Sequence, residues 1–245
     1  MKLKLLLPSV CLASSLAFSA YAAESSEVWL QQAVNTNSRT DVEKVRDINR
    51  KPIETLRFFG LQPNMKVVEL MPGKGWYSKI LSAALAEKGQ FYAAFNTRRI
   101  PEYVKYTATG ALTEFQKQAG AGYIFNIASA NIGVTDADRV LTFRNIHNFT
   151  APARAKLNKA AFDALKSGGV YGVVDHSKRH MEGFTAATWR RIDPVLIIKE
   201  AVQAGFIFED FSTLHARAED TLQFDTKHKS LVNESDRFTL KFRKP

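Results

Sequence analysis

The chain has 245 residues, one cysteine (Cys11) and a formal net charge of +10. Its basic residues are scattered and form no patch with interleaved aromatic residues, so the charge does not indicate nucleic-acid binding. Beyond the N-terminal 22 residues, no hydrophobic run approaches the length of a membrane span.

The N-terminus has the pattern of a Sec-type signal peptide. Lys2 and Lys4 precede an apolar run at 5–20 that is too short to span a membrane, and Ala20 and Ala22 are the small residues that a signal peptidase reads. We therefore expect cleavage after Ala22 and export to the periplasm or beyond. The soluble mature chain would carry a charge of +8, which is +10 less the two lysines. It would have no cysteine for a disulfide, a thiolate nucleophile or a metal site.

Strand and helix patterns alternate along the rest of the chain. Pro52 and Gly60 bound the first helical pattern, and Thr150 caps a later one. After a polar stretch, the predicted elements in chain order are a helix at 52–59, a strand at 67–71, a helix at 76–89, strands at 91–95, 123–127 and 139–143 with a further helix near 111–118, a helix at 150–169, a strand at 170–175, a helix at 193–205, and strands at 206–211 and 237–242.

This alternation predicts a Rossmann-like α/β fold with one seven-stranded, mostly parallel sheet covered by helices on both faces. No helical pattern separates the last two strands, so we expect them to pair antiparallel at one edge, with the final strand reversed and the segment 212–236 joining them. No repeat or linker divides the chain. Residues 23–245 should form one domain with its core at about 45–245, and its ligands should bind beyond the carboxyl ends of the strands.

The loop after the first predicted strand, in VVELMPGKG, has the character of a small-molecule site. Gly73 and Gly75 allow a ligand to approach the backbone closely, and Glu69 ends the strand. A dinucleotide fingerprint would need a third glycine, and a Walker loop would need a leading glycine. The alternative is a structural turn with a surface glutamate.

This loop, together with VLTFRNIHNF at the fourth strand and LKSGGVYGVVDH at the fifth, resembles class I S-adenosylmethionine-dependent methyltransferases. The resemblance is strongest to the predicted methyltransferases of bacteria that carry secretion signals, and it covers roughly residues 45–245. It implies S-adenosylmethionine as the cofactor, with contacts from Glu69, Gly73, Gly75, Asn96 and Asn145. Glu69 would hold the ammonium group of the cofactor, directly or through water.

Two residues depart from the family pattern. Met71 stands where the family has its first glycine, and Asn96 stands where the family has an acid that accepts hydrogen bonds from both ribose hydroxyls. Since Asn96 accepts one bond and donates one, weaker binding or a shifted pose is expected. These departures, and the cytoplasmic origin of the cofactor, leave a second hypothesis open: a protein of this fold that has lost catalysis and acts as a periplasmic small-molecule-binding or accessory protein.

Candidate catalytic residues follow the fourth and fifth strands, whose carboxyl ends meet at one edge. His147 is the candidate general base for an oxygen, nitrogen or carbon nucleophile of a small or envelope-associated acceptor, with Asp175 to orient it and His176 beside them. Capping and loop ordering is the alternative for these residues. A metal site is a third hypothesis, but no ligand spacing supports it. Trp189 and Arg191, in the segment 176–192, would line or cover the pocket.

Overall fold

A computed structural model describes residues 28–117, 123–231 and 234–245. The predicted signal peptide at 1–22 lies outside the described residues. Within those ranges, no helix combines the length and the apolar character that crossing a membrane requires.

The strands follow the chain as β1 (Lys66–Leu70), β2 (Gln90–Ala94), β3 (Thr107–Thr109), β4 (Ala111–Thr113), β5 (Gln116–Lys117), β6 (Phe125–Asn126), β7 (Ser129–Asn131), β8 (Ala137–Phe143), β9 (Leu165–His176), β10 (Ile207–Ser212) and β11 (Arg237–Arg243). Seven of them form one sheet in the order β10-β11-β9-β8-β1-β2-β3. Its strands are parallel except β11, which is antiparallel to both neighbours. Separately, β4 pairs with β7, and β5 pairs with β6.

Helices cover both faces of this sheet. Residues 28–34 are helical (α1). The helices after them are α2 (Asp41–Lys44), α3 (Asp47–Arg50), α4 (Pro52–Phe58), α5 (Trp76–Leu85), α6 (Ala151–Ala164) and α7 (Pro194–Gln203), with 3-10 turns at Thr97–Arg99, Ile146–Asn148 and Ala186–Thr188. The side chains of Thr150 and Asp193 cap α6 and α7, as their positions in the sequence indicate.

The core has two halves, one on each face of the sheet. Val68 and Leu70 of β1 face the half that α6 and α7 complete. Val67 faces the other half, which includes side chains of α1, α4 and α5. Because side chains alternate along a strand, Glu69 falls on the same face as Val67. The carboxyl end of β1 therefore brings a carboxyl group into the interior.

The predicted Rossmann-like architecture is confirmed, including the reversed last strand and the antiparallel pair that β10 and β11 form at one edge. The predicted helix near 111–118 is wrong for its described residues, which contain β4 and β5. Thr113 and Ser129 hydrogen-bond across the β4–β7 ladder, with their hydroxyl oxygens 2.7 Å apart, so this polar segment pairs as strand.

The predicted third strand of the sheet, at 123–127, is also wrong. Only β6 forms there, outside the seven-stranded sheet. The third strand of that sheet in chain order is β3, which pairs with β2 at the edge. The run is apolar because Ile124 and Ile127 are buried, although neither joins the main ladder. The helix predicted at 150–169 ends early, at Ala164, because β9 begins at Leu165.

Candidate functional site

The loop between β1 and α5 has a left-handed backbone at three positions. Met71, Gly73 and Gly75 have φ values of 50°, 62° and 77°. The amide of Met71 donates to the carbonyl of Ala94 (2.8 Å), which ties the loop to the end of β2. Met71 thus holds the conformation that glycine adopts easily, at a cost of about 1 kcal/mol for a residue with a Cβ. Although Met71 departs from the family pattern, its backbone keeps the left-handed conformation that suits a glycine at this position.

The two glycines of the loop have different surroundings. A Cβ added to Gly73 would meet no atom within 4 Å, whereas one added to Gly75 would lie 3.2 Å from Cγ2 of Ile100. Gly73 lines a cavity at the carboxyl edge of the sheet, and Gly75 caps α5. Gly73 is therefore the residue that lets a ligand approach this loop.

The cavity has a volume of about 750 Å³ and lies beyond the ends of β1, β2 and β8. This volume suits a cofactor-sized molecule, since small-molecule sites run to roughly 300–1,000 Å³. Three of the predicted cofactor residues, Gly73, Asn96 and Asn145, line it together with the indole of Trp189.

Asn96 and the residues after it give this cavity a basic wall. Asn96 follows β2 with φ of 53°. The charged side chains that line the cavity are all cationic, namely Arg98, Arg99, Arg190 and Lys227. Arg190 pairs with Asp225. The end of β2 therefore offers an amide and cations where an acid was expected from the family pattern.

Asn145 connects the ends of two strands. Its Nδ2 atom donates to the carbonyl of Leu70 at the end of β1 (3.2 Å) and to Oγ1 of Thr142 on β8 (3.3 Å). These bonds keep the two carboxyl ends together beneath the cavity.

Glu69 is buried and does not line the cavity. Its Oε2 accepts a hydrogen bond from Oγ of Ser78 (2.6 Å). Burial raises the pKa of Glu69 to about 7, although the Ser78 hydroxyl and the charge of Arg50 oppose the shift. The carboxyl group therefore changes its charge near neutral pH.

His147 and Asp175, which the sequence predicted to meet, form a buried pair. Nδ1 of His147 lies 2.5 Å from Oδ1 of Asp175, and the His147 amide donates to Oδ2 (3.1 Å). The carboxylate holds a proton on Nδ1 and so leaves Nε2 free to accept one. His147 itself does not line the cavity, but its ring lies 6.4 Å, centroid to centroid, from the indole of Trp189, which does. This geometry is that of an oriented general base.

His176 is the third predicted catalytic residue, and its ring lies 5.6 Å from that of His147. Its Nδ1 is 2.9 Å from Oγ of Ser235, and its amide donates to Oδ1 of Asp175 (2.7 Å). Burial, followed by repulsion from His147 when that ring is protonated, lowers the pKa of His176 well below its usual value. His176 is therefore a neutral residue that supports the pair.

Other predicted residues make internal contacts. Arg191, expected to line or cover the pocket, pairs instead with Asp220 in the interior (2.8 Å). Within the described residues, no group of three or more His, Cys, Asp or Glu side chains is arranged to hold a metal ion.

The sequence did not point to three arginines at this edge, namely Arg46, Arg50 and Arg237. They come from the segment around α3 and from the start of β11, and Arg50 contacts the ring of Trp76 (4.3 Å from the guanidinium carbon to the centroid). No local motif marks them, because only the tertiary fold brings such distant segments together.

No protein-family model matches the chain, and no curated protein matches it. Solved structures do. A SAM-dependent methyltransferase from Aquifex aeolicus is 16% identical with a TM-score of 0.51, over 80% of this chain and 91% of the other. The 1,6-didemethyltoxoflavin-N1-methyltransferase of Burkholderia thailandensis, with S-adenosylhomocysteine bound, is 12% identical with a TM-score of 0.51, over 99% and 93%. Human N-acetylserotonin methyltransferase, in complex with SAM, is 14% identical with a TM-score of 0.52, over 97% and 60%.

The chain has the Rossmann-like fold of these methyltransferases. At such low identity the likeness concerns the fold, and the chemistry must be argued from the site.

Proposed function

We propose that the protein is an S-adenosylmethionine-dependent methyltransferase. The observation that carries the proposal is the cavity at the open side of Gly73, at the carboxyl edge of a methyltransferase fold, with an oriented histidine beside it. When bound, S-adenosylmethionine supplies an electrophilic methyl group. The Gly73 backbone, Asn96 and Asn145 would hold it, since they line the cavity.

His147 serves as the general base in this proposal. A hydroxyl or amine nucleophile loses a proton as it is methylated, and Nε2 of His147 takes that proton while Asp175 stabilises the resulting imidazolium. His176 stays neutral, so the histidine pair carries one positive charge at most. The predicted contact of Glu69 with the cofactor's ammonium is not part of this proposal, because Glu69 is buried against Ser78 and does not line the cavity.

Calorimetry with S-adenosylhomocysteine tests the proposal most directly. We expect Gly73→Met to weaken binding by at least tenfold, or about 1.4 kcal/mol, because the added side chain enters open space at the cavity. Gly168→Met is the matched control: Gly168 also has positive φ (73°) and open space for a Cβ. Both variants carry the same backbone strain, and only the first should lose affinity.

If the unsubstituted protein does not bind S-adenosylmethionine or S-adenosylhomocysteine at millimolar concentration, the enzyme proposal fails. The non-catalytic binding or accessory role would then take its place. Equal affinity of the two glycine variants for S-adenosylhomocysteine would show that the cofactor does not bind beside Gly73.

We also propose export by the signal at 1–22, which would make the acceptor a periplasmic or envelope-associated molecule. Mass spectrometry of the protein from a periplasmic extract should find Ala23 at the N-terminus. A full-length chain in the cytoplasm would refute export without affecting the proposed chemistry.

A further inference from the structure

Arg144 and Arg237 lie at the carboxyl edge of the sheet, next to the histidine–aspartate pair. Arg46 and Arg50 are close enough to Arg144 for the positive charges to repel one another. Arg144 follows β8, whose last residue is in register with Val174, directly before Asp175. Arg237 is in register with His176 on the neighbouring strand. Arg46 and Arg50 come from the turn before α3 and from its last residue.

Among the described residues, neither Arg50 nor Arg144 forms an ion pair with a carboxylate, although the charges of Glu69 and Asp175 act on them. Arg50 is only 4% exposed, and its Nη1 atom has no hydrogen-bond partner among the described residues. The guanidinium groups of Arg46 and Arg144 likewise make no hydrogen bond or ion pair in this part of the structure. Elsewhere the fold pairs its buried arginines with carboxylates: Arg39 with Asp47, Arg154 with Glu200 and Arg191 with Asp220.

The acids near this arginine cluster (Arg46, Arg50 and Arg144) do not neutralise it. Glu69 has a pKa raised to about 7 by burial and is therefore only partly ionised at neutral pH. Asp175 is already bonded to His147, and Glu43, whose charge acts on Arg46, is paired with Lys79. Burial, and then repulsion from Arg144 and Arg46, lowers the pKa of Arg50 to about 8. An uncompensated buried charge costs several kcal/mol, so the cluster is arranged for an anion that the chain itself does not supply.

We propose that the arginine cluster binds an oxyanion, a carboxylate or phosphate group, of a ligand whose reacting atom lies near His147. Planar guanidinium groups match such oxyanions through paired N–H donors. Resting on the proposed function, this inference makes the methyl acceptor an acid or a phosphate ester. The same chemistry would also suit the carboxylate of the cofactor's amino-acid part, so the test must separate these two sources.

Inorganic phosphate is the first probe, followed by thermal melts at constant ionic strength. We expect a saturable rise in Tm with millimolar phosphate that is lost in Arg50→Gln and in Arg144→Gln. Lys159→Gln is the control, because it removes one positive charge from an exposed site on α6. The inference is overturned if phosphate has no saturable effect on the parent, or if all three variants respond alike.

The second measurement compares S-adenosylhomocysteine with 5′-methylthioadenosine, which lacks the amino-acid part. If the cluster holds the cofactor's carboxylate, Arg50→Gln should weaken S-adenosylhomocysteine by about ten- to a hundredfold, the usual loss for a charge-assisted hydrogen bond, and leave 5′-methylthioadenosine unchanged. If it holds the acceptor, both nucleosides should bind Arg50→Gln normally, and phosphate should still bind the complex of the parent with S-adenosylhomocysteine. Failure of the parent to bind either nucleoside would refute the methyltransferase proposal, while the phosphate melts would still decide the oxyanion site.

Discussion

Replacement of Glu69 by glutamine should change the pH dependence of stability. Burial raises the pKa of Glu69 from 4.5 to about 7. A carboxyl group whose pKa is higher in the folded state favours folding below its unfolded pKa, and this contribution is lost as pH rises through the folded pKa. The shift of about 2.5 units corresponds to about 3 kcal/mol in full, of which about 2.5 kcal/mol falls between pH 5 and pH 8. Glutamine carries no charge and should not show this loss.

Urea unfolding of the parent and of Glu69→Gln at pH 5 and at pH 8 measures this effect. The difference in unfolding free energy should move by about 2.5 kcal/mol in favour of the variant at pH 8, whatever constant offset the lost Ser78 contact adds. Glu87→Gln, at an exposed carboxyl group just beyond α5, is the control. A difference that stays constant with pH would show that the fold does not penalise the Glu69 carboxylate.

Three further outcomes are expected. Met71→Gly should be more stable to urea than Met71→Ala by about 1 kcal/mol, because only the alanine variant keeps the left-handed strain, and the opposite order would argue against that strain. Imidazole ¹⁵N shifts should place the neutral His147 proton on Nδ1 in the parent and show a mixed tautomer in Asp175→Asn, whereas identical spectra would rule out Asp175 as the orienting group. Burial lowers the pKa of His215 from 6.5 to about 4, so its contribution is present above pH 6.5 and about 3 kcal/mol is lost as pH falls to 4. With His215→Gln, the unfolding free energy measured with urea should therefore fall less as pH drops from 6.5 to 4. An unchanged fall over this range would contradict the lowered pKa of His215.

The sequence predicted the middle of the fold well because those elements carry their own signals. β1 is an apolar run before the glycine loop, and α5 has apolar residues at a helical period after it. Both patterns predict buried elements, and most residues of both elements are buried. β3 carries no such signal, since its three residues are polar or small and two of them are exposed. The apolar run at 123–127 was predicted as the sheet strand instead, because a run with buried isoleucines has the same sequence pattern in a sheet as beneath a helix.

In the candidate site, too, some contacts could be predicted from the sequence and others could not. The meeting of His147 and Asp175 could be predicted, since His147 follows β8, Asp175 lies at the end of the parallel neighbour β9, and the carboxyl ends of such strands share one edge. The partners of Arg50 could not. Its carbonyl accepts from Nε2 of His215 (3.0 Å) and from the hydroxyl of Tyr77 (3.2 Å), contacts between segments as much as 165 positions apart.

The reversal of β11 explains why the end of the chain belongs to the site. In a parallel sheet only the carboxyl ends of strands reach the functional edge, but an antiparallel strand brings its first residue there. Arg237 therefore lies beside His176, and the segment that precedes β11 must pass over the same edge. That segment supplies Ser235 to His176 and His215 to the carbonyl of Arg50. Ser235 and His215 thus hold a histidine and an arginine of the site in place, and the site depends on the last strand as much as on the glycine loop.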